Sequence, residues 1–215
     1  MKAYTWRLSL AAFRVRIVMN LKGIQAEEVQ IDLRQGQQHD PAFRAINPQG
    51  AVPALQLGDG HILFQSMAIM EYLNEAYPAP PLLPDSAIGR ARVRALSQIA
   101  VADGHPLVTP RVQAYLKRPL GHNDQEYTAW ARHFMGDALA AIEGHLARDA
   151  ETGVFSHGSQ PTLADACLVS QVVGYSYFGG ATDAFPVVNR IYLACMDIDA
   201  FRRAHPLQQP EAPAA

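Results

Sequence analysis

The chain has 215 residues, 49% of them hydrophobic and 18% charged, with a formal net charge of −2. That length can bury one large core or two small ones, and it offers no basic stripe for a nucleic-acid partner. No run approaches the ~18 apolar residues of a membrane span, and no basic-then-apolar leader opens the chain, so a cytoplasmic protein with no membrane attachment is expected.

Residues 1–6 alternate through Tyr4 and Trp6 as a short strand does. From Ala11 to Leu21 apolar residues recur at helical spacing, and Lys22-Gly23 is a helix stop. Val29, Ile31 and Leu33 alternate again, so the opening reads β-α-β. A helical turn is expected around Phe43–Ile46. A hairpin follows, with strands at Val52–Leu55 and Ile62–Phe64 joined by Gly58-Asp59-Gly60. A helix capped by Ser66 then runs through Met70 and Leu73.

The stretch 78–84, PAPPLLP, is too rich in proline for helix or central strand and reads as a semi-rigid linker. Beyond it, 87–117, 123–148, 162–178 and 187–201 all carry helical periodicity. The expected organisation is an α/β unit over 1–78, a linker over 79–86 and an all-helical unit over 87–215, with a frayed Pro/Ala tail at 210–215. Cys167 and Cys195 match no zinc or redox spacing and read as buried thiols.

Four short segments carry possible chemistry. Pro53 at a strand entry cannot donate to a ladder. It suits either an edge turn or a bend, often cis, that leaves the preceding backbone amide and carbonyl open to a ligand. Gln65-Ser66 stands where a strand meets a helix, so Ser66 is a plain cap or part of a carboxylate-receiving helix end. Ser9, at the start of the first helix, is a cap or a hydroxyl donor to a thiolate. Thr162 and Asp165 have capping-box spacing and read as structural.

In combination, these pieces resemble the glutathione transferase superfamily, and in detail its zeta class, which includes maleylacetoacetate and maleylpyruvate isomerases. The resemblance is carried by Arg14-Val15-Arg16-Ile17, Asn20-Leu21-Lys22-Gly23, Gln37-Gln38, Asn47-Pro48, Val52-Pro53, Gln65-Ser66, Glu71-Tyr72-Leu73 and the linker to Pro84. Thr162-Leu163-Ala164-Asp165 and Phe201-Arg202-x-x-His205-Pro206 extend it to nearly the whole chain. It implies a thioredoxin-like α/β domain followed by an all-α domain, glutathione as cofactor, and a two-fold homodimer. It also implies site roles. Ser9 would stand near the glutathione sulfur, with Arg14 stabilising charge. Val52, before a cis Pro53, would pair its backbone with the cysteinyl part. Gln65 and Ser66 would hold the γ-glutamyl end and Gln38 the glycyl end. His105 would contact glutathione, with a general base as its other reading. Leu10, Ala11, Arg111 and Tyr177 would line the acceptor site, and no metal is implied.

The chain departs from the family pattern in three places, one of them Pro110, where maleylpyruvate isomerases have a second arginine and this chain has Arg111 adjacent. The zeta motif usually reads Ser-Ser-Cys-Ser-Trp-Arg, and here the stretch is Ser9-Leu10-Ala11-Ala12-Phe13-Arg14. An arginine that precedes a phenylalanine in the isomerases is Tyr177 here, before Phe178. A bidentate arginine is the usual way to hold a carboxylate, so a less acidic substrate is a live alternative. Three functions stay open at this point: a cis–trans isomerase of a cis-enone diacid, a transferase conjugating or dehalogenating a small electrophile, and a non-catalytic glutathione-binding protein.

Overall fold

Ser9 opens the first helix because its Oγ accepts the Ala12 N–H at 3.2 Å, satisfying one of the orphan donors of a helix start. The same local logic recurs along the computed structural model, which describes residues 1–210; the rest of the expected Pro/Ala tail lies outside them. The first unit runs β1 (Lys2–Thr5), α1 (Leu10–Leu21), β2 (Glu27–Gln30), a 3-10 turn (Gln37–His39), α2 (Pro41–Ile46), β3 (Ala54–Gln56), β4 (Ile62–Phe64) and α3 (Ser66–Ala76). α1 ends at Gly23, whose φ of +65° suits a residue without a Cβ. β2 stops before Ile31 and Leu33, shorter than the alternation predicts.

The sheet order is β2-β1-β3-β4. β2 runs parallel to β1, and β3 antiparallel to both β1 and β4, with Tyr4 opposite Ala54 and Ala54 opposite Phe64. A core of Tyr4, Ile31, Phe43, Val52 and Ala54 forms beneath α2. Phe13, Ile17 and Val18 of α1 and Ile69, Met70 and Leu73 of α3 are sealed from solvent, and the two helices pack together. Each such side chain contributes roughly 1.5–3 kcal/mol by leaving water. This is a thioredoxin-like α/β arrangement of four strands and helices.

The second unit, Leu82–Asp197, is helical. It contains α4 (Ala87–Gln98), a π-helical turn (Ile99–Gly104), a 3-10 turn (His105–Val108), α5 (Pro110–Lys117), α6 (Asp124–Leu146), α7 (Leu163–Tyr177) and α8 (Pro186–Met196). The helical run expected over 87–117 is therefore broken, and His105 sits on the irregular part rather than on an α-helix. α7 is buried continuously from Leu163 to Gly174 because α4, α6 and α8 all pack on it. The expected capping box begins it. Asp165 is fully buried; its Oδ2 accepts the Thr162 N–H (2.7 Å) and hydroxyl (2.9 Å), while Oδ1 accepts the Ser156 N–H (2.7 Å). Both cysteines are buried, and neither is in a disulfide. No helix of the described residues is long and apolar enough to cross a membrane.

The end of the chain differs from the organisation read in the sequence. α9 (Asp199–Ala204) and the 3-10 turn Pro206–Gln208 group with residues 1–81, not with the helical unit. The cause is polar as well as apolar. Arg16 Nε donates to the Ala204 carbonyl at 3.2 Å, Asn20 Nδ2 to the Ala200 carbonyl at 2.9 Å, and Phe201 is fully buried. His205 closes this junction: its Nδ1 accepts the Leu207 N–H at 3.2 Å and its ring stands edge-on to Phe13, 5.7 Å between centroids.

Burial, and then the nearby Arg16 charge, lower the His205 pKa from its ordinary value. A depressed folded pKa means that stability is full above the unfolded value near 6.5 and is lost as pH falls through the folded pKa. Urea midpoints measured from pH 7.5 down to about 5 are expected to fall, and H205Q to flatten that slope. An equal slope in H205Q would exclude His205 as its source.

Candidate functional site

The strand directions bring four loops to one end of the sheet. β1 finishes there and leads to Ser9; β2, parallel to it, finishes there and leads to Gln37-Gln38. β3 starts there just after Val52-Pro53, and β4 finishes there just before Gln65-Ser66. Ser9, Gln38, Val52, Pro53, Gln65 and Ser66 thus share one rim, where α1 and α3 both begin.

The Val52–Pro53 peptide is cis, as the sequence suggests. Neither the Val52 N–H nor its carbonyl has a hydrogen-bond partner among the described residues, so the backbone at this bend offers both groups to a peptide-like ligand. The loop is braced by Asn47, which is buried: its Nδ2 donates to the Ala51 carbonyl at 2.7 Å and its Oδ1 accepts the Gln49 N–H at 3.2 Å. Gly50, at φ +62°, brings the loop against Gln38; a Cβ there would lie 2.9 Å from the Gln38 carbonyl oxygen.

Gln65, not Ser66, takes the cap position of α3; Ser66 is the first helical residue and is buried. Gln65 has φ +69°, the one positive value among the described non-glycine residues. Such a conformation costs on the order of 1–3 kcal/mol and tends to persist where a site needs it. Its side chain makes no capping bond and instead donates from Nε2 to Gln49 Oε1 at 2.9 Å. The start of α3 therefore keeps amide donors, with the helix dipole behind them, for a carboxylate. Gln49 is a member of the site that only a contact across 16 residues reveals.

Gln38 has a buried Oε1 without a hydrogen-bond partner, an acceptor suited to an amide N–H from the glycyl end of a tripeptide. Ser9, half-buried, uses its oxygen as acceptor for Ala12, and its own proton remains to donate. These features fit glutathione: a backbone-pairing segment at the centre, a carboxylate end on one side, an amide acceptor on the other, and a hydroxyl donor at a helix start for the thiol.

Arg14 is only 1% exposed, so its influence on a bound thiolate runs through its field rather than through contact. Leu10 is buried at 7%, and Ala11 is the most open of the three apolar replacements of polar motif residues. Ala12, like Phe13 beside it, is a core residue, which gives that departure from the polar motif a packing role. In the helical unit, His105 is half-buried, Arg111 is exposed in the first turn of α5, and Tyr177 is 43% exposed at the end of α7. Phe178, just after it, meets Tyr127 edge-on at 5.7 Å. Among the described residues no cluster of His, Cys, Asp and Glu is arranged to hold a metal.

Residues 1–75 match the family model "Glutathione S-transferase, N-terminal domain". Over its whole length the chain is 41% identical to maleylacetoacetate isomerase of Pseudomonas aeruginosa, of which it covers 100%. Among solved structures, maleylacetoacetate isomerase from Methylobacterium extorquens AM1 with bound malonate and GSH is 48% identical, with a TM-score of 0.96 and 100% of both chains covered. Holo maleyl pyruvate isomerase, described as a bacterial zeta-class glutathione-S-transferase, is 40% identical with a TM-score of 0.95, covering 99% of this chain and 100% of the other. A sequence and a fold similar along their full length to these proteins place the chain in the glutathione transferase family, within its zeta class.

Proposed function

We propose that this protein is a glutathione-dependent cis–trans isomerase of the maleylacetoacetate and maleylpyruvate type. The observation that carries the reading is likeness over the full length, site loops included, to proteins named for that activity. When bound, glutathione supplies a thiolate that adds to the cis double bond and leaves again after rotation, so the thiol is conserved.

In this reading the chain's own residues bind and orient. Val52 pairs its amide and carbonyl with the cysteinyl backbone, the start of α3 with Gln65 and Ser66 receives the γ-glutamyl carboxylate, and Gln38 receives the glycyl end. His105 adds a glutathione contact. Ser9 donates its hydroxyl proton toward sulfur, while the N-terminus of α1 favours negative charge there. The buried charge of Arg14 acts in the same sense. Arg111 is the exposed cation for a substrate carboxylate, and Ala11 and Tyr177 line the apolar part. A cytoplasmic homodimer belongs to the same proposal.

An assay on maleylacetone that follows loss of the cis enone while counting free thiol tests this. Turnover with thiol conserved is expected, and loss of that turnover in R111A would assign Arg111 to the substrate. A second reading, conjugation or dehalogenation of a less acidic electrophile, is favoured by Tyr177 standing where the isomerases carry arginine. Thiol consumed in step with substrate, and no turnover of maleylacetone, would establish it instead.

A further inference from the structure

His105 stands at the junction of two irregular turns, and the helical unit holds that junction from outside. Its N–H donates to the Ala100 carbonyl, the i to i−5 bond of a π-turn. The carbonyls that follow lose their ordinary helical donors. The donor for Pro106 would be Pro110, which has no N–H, and Thr109 Oγ1 donates to the Pro106 carbonyl instead, at 3.2 Å. The Val112 N–H, which would serve Val108 in a continuous helix, goes to the Thr109 carbonyl.

Two aromatic residues one turn apart on α6 fill the gap. Tyr127 OH donates to the Val108 carbonyl at 2.8 Å, and Trp130 Nε1 donates to the Leu107 carbonyl at 2.9 Å. Trp130 is held in turn by Phe134, with ring centroids 4.6 Å apart. On the near side, Gly104 allows a close approach: a Cβ there would lie 2.5 Å from Gln171 Nε2 and 2.8 Å from the Ala138 Cβ. The turn is therefore seated on α6 and α7 immediately before His105 and tied to α6 immediately after it. Burial pushes the Tyr127 hydroxyl up to about 12, so it stays a proton donor across the physiological range.

We propose that Tyr127 and Trp130 are positioning residues that set the place of His105 toward glutathione. The proposal rests on the reading of His105 as a glutathione-binding residue. Neither aromatic residue touches ligand in it; they act by denying the turn any other course.

The test is calorimetric titration with glutathione of the wild-type protein, H105A, the double variant Y127F/W130F and the triple variant, with melting temperatures alongside. These phenylalanines keep a ring and remove the donor. H105A is expected to weaken binding about tenfold and the double variant about threefold to tenfold, the range of one or two hydrogen bonds. The triple variant should bind no more weakly than H105A. A double variant that melts earlier yet binds like wild type, or that weakens H105A by a further equal factor, overturns the proposal and leaves His105 its role. H105A binding like wild type overturns both, without touching the isomerase assay. Should the double variant not fold, Y127F and W130F are read singly against the same H105A background.

Discussion

Replacing Ser9 by alanine is expected to lower kcat/KM at neutral pH by about ten- to a hundredfold and to raise the pKa of bound glutathione thiol by about one to two units. A thiol at a cysteine-like value near 8.5 is mostly protonated at pH 7, and each unit of depression corresponds to about 1.4 kcal/mol of preference for the thiolate. A hydrogen bond to a charged group supplies about that much. The hydroxyl also caps α1 through Ala12, and alanine at a cap costs about 0.5–2 kcal/mol of stability, whereas glycine costs only a few tenths. S9G therefore removes the proton donor while sparing the helix. Thiolate ultraviolet absorbance titrated in both variants separates the effects. Equal losses of thiolate in S9A and S9G assign it to the hydroxyl, and an unshifted thiol in both would assign it to the backbone amides at the start of α1.

The largest stability effect is expected at Asp165. D165A leaves the Ser156 and Thr162 N–H groups buried without an acceptor, each costing about 1–3 kcal/mol. The combined loss, about 2–6 kcal/mol, is a large share of the roughly 5–15 kcal/mol that holds a domain. Burial drives the carboxyl pKa up, and the hydrogen bonds from Ser156 and Thr162 oppose it. D165N, a neutral isostere with one acceptor oxygen left, should fall between wild type and D165A. Urea denaturation with an unchanged slope and a lower midpoint is the expected record. A wild-type midpoint in D165A would mean that the loop at Ser156 finds other partners.

The α/β opening, the hairpin turn and the α7 capping box were all legible in the sequence. Each is written in neighbouring residues: the apolar spacing of α1, Gly58-Asp59-Gly60, Thr162 with Asp165. The cis Val52–Pro53 bond was legible only through the family resemblance, since Pro53 by itself suits an edge turn as well. The positive φ of Gln65 was not, because left-handed backbone is ordinarily announced by glycine, and here the surrounding loops impose it on a glutamine. The π-turn before His105 escaped as well. Ile99 to Ala102 are apolar without interruption, so the sequence there has no period from which one extra residue in a turn could be read. The return of α9 to α1 depends on Arg16 and Asn20 reaching main-chain carbonyls more than 170 positions away, and main-chain acceptors have no signature in residue type. The burial of Arg14 belongs with these, since an arginine beside a helix start reads more readily as a site residue than as an enclosed one.

That return bears on how the protein is born. The first unit is assembled from the two ends of the chain, so the ribosome releases all four strands of its sheet long before it releases the segment that covers Arg16 and Phe13. At roughly 5–20 residues per second, the nascent α/β unit waits on the order of ten seconds for its last piece while the helical unit emerges between. Synthesis is complete, in the structural sense, only when Phe201 arrives.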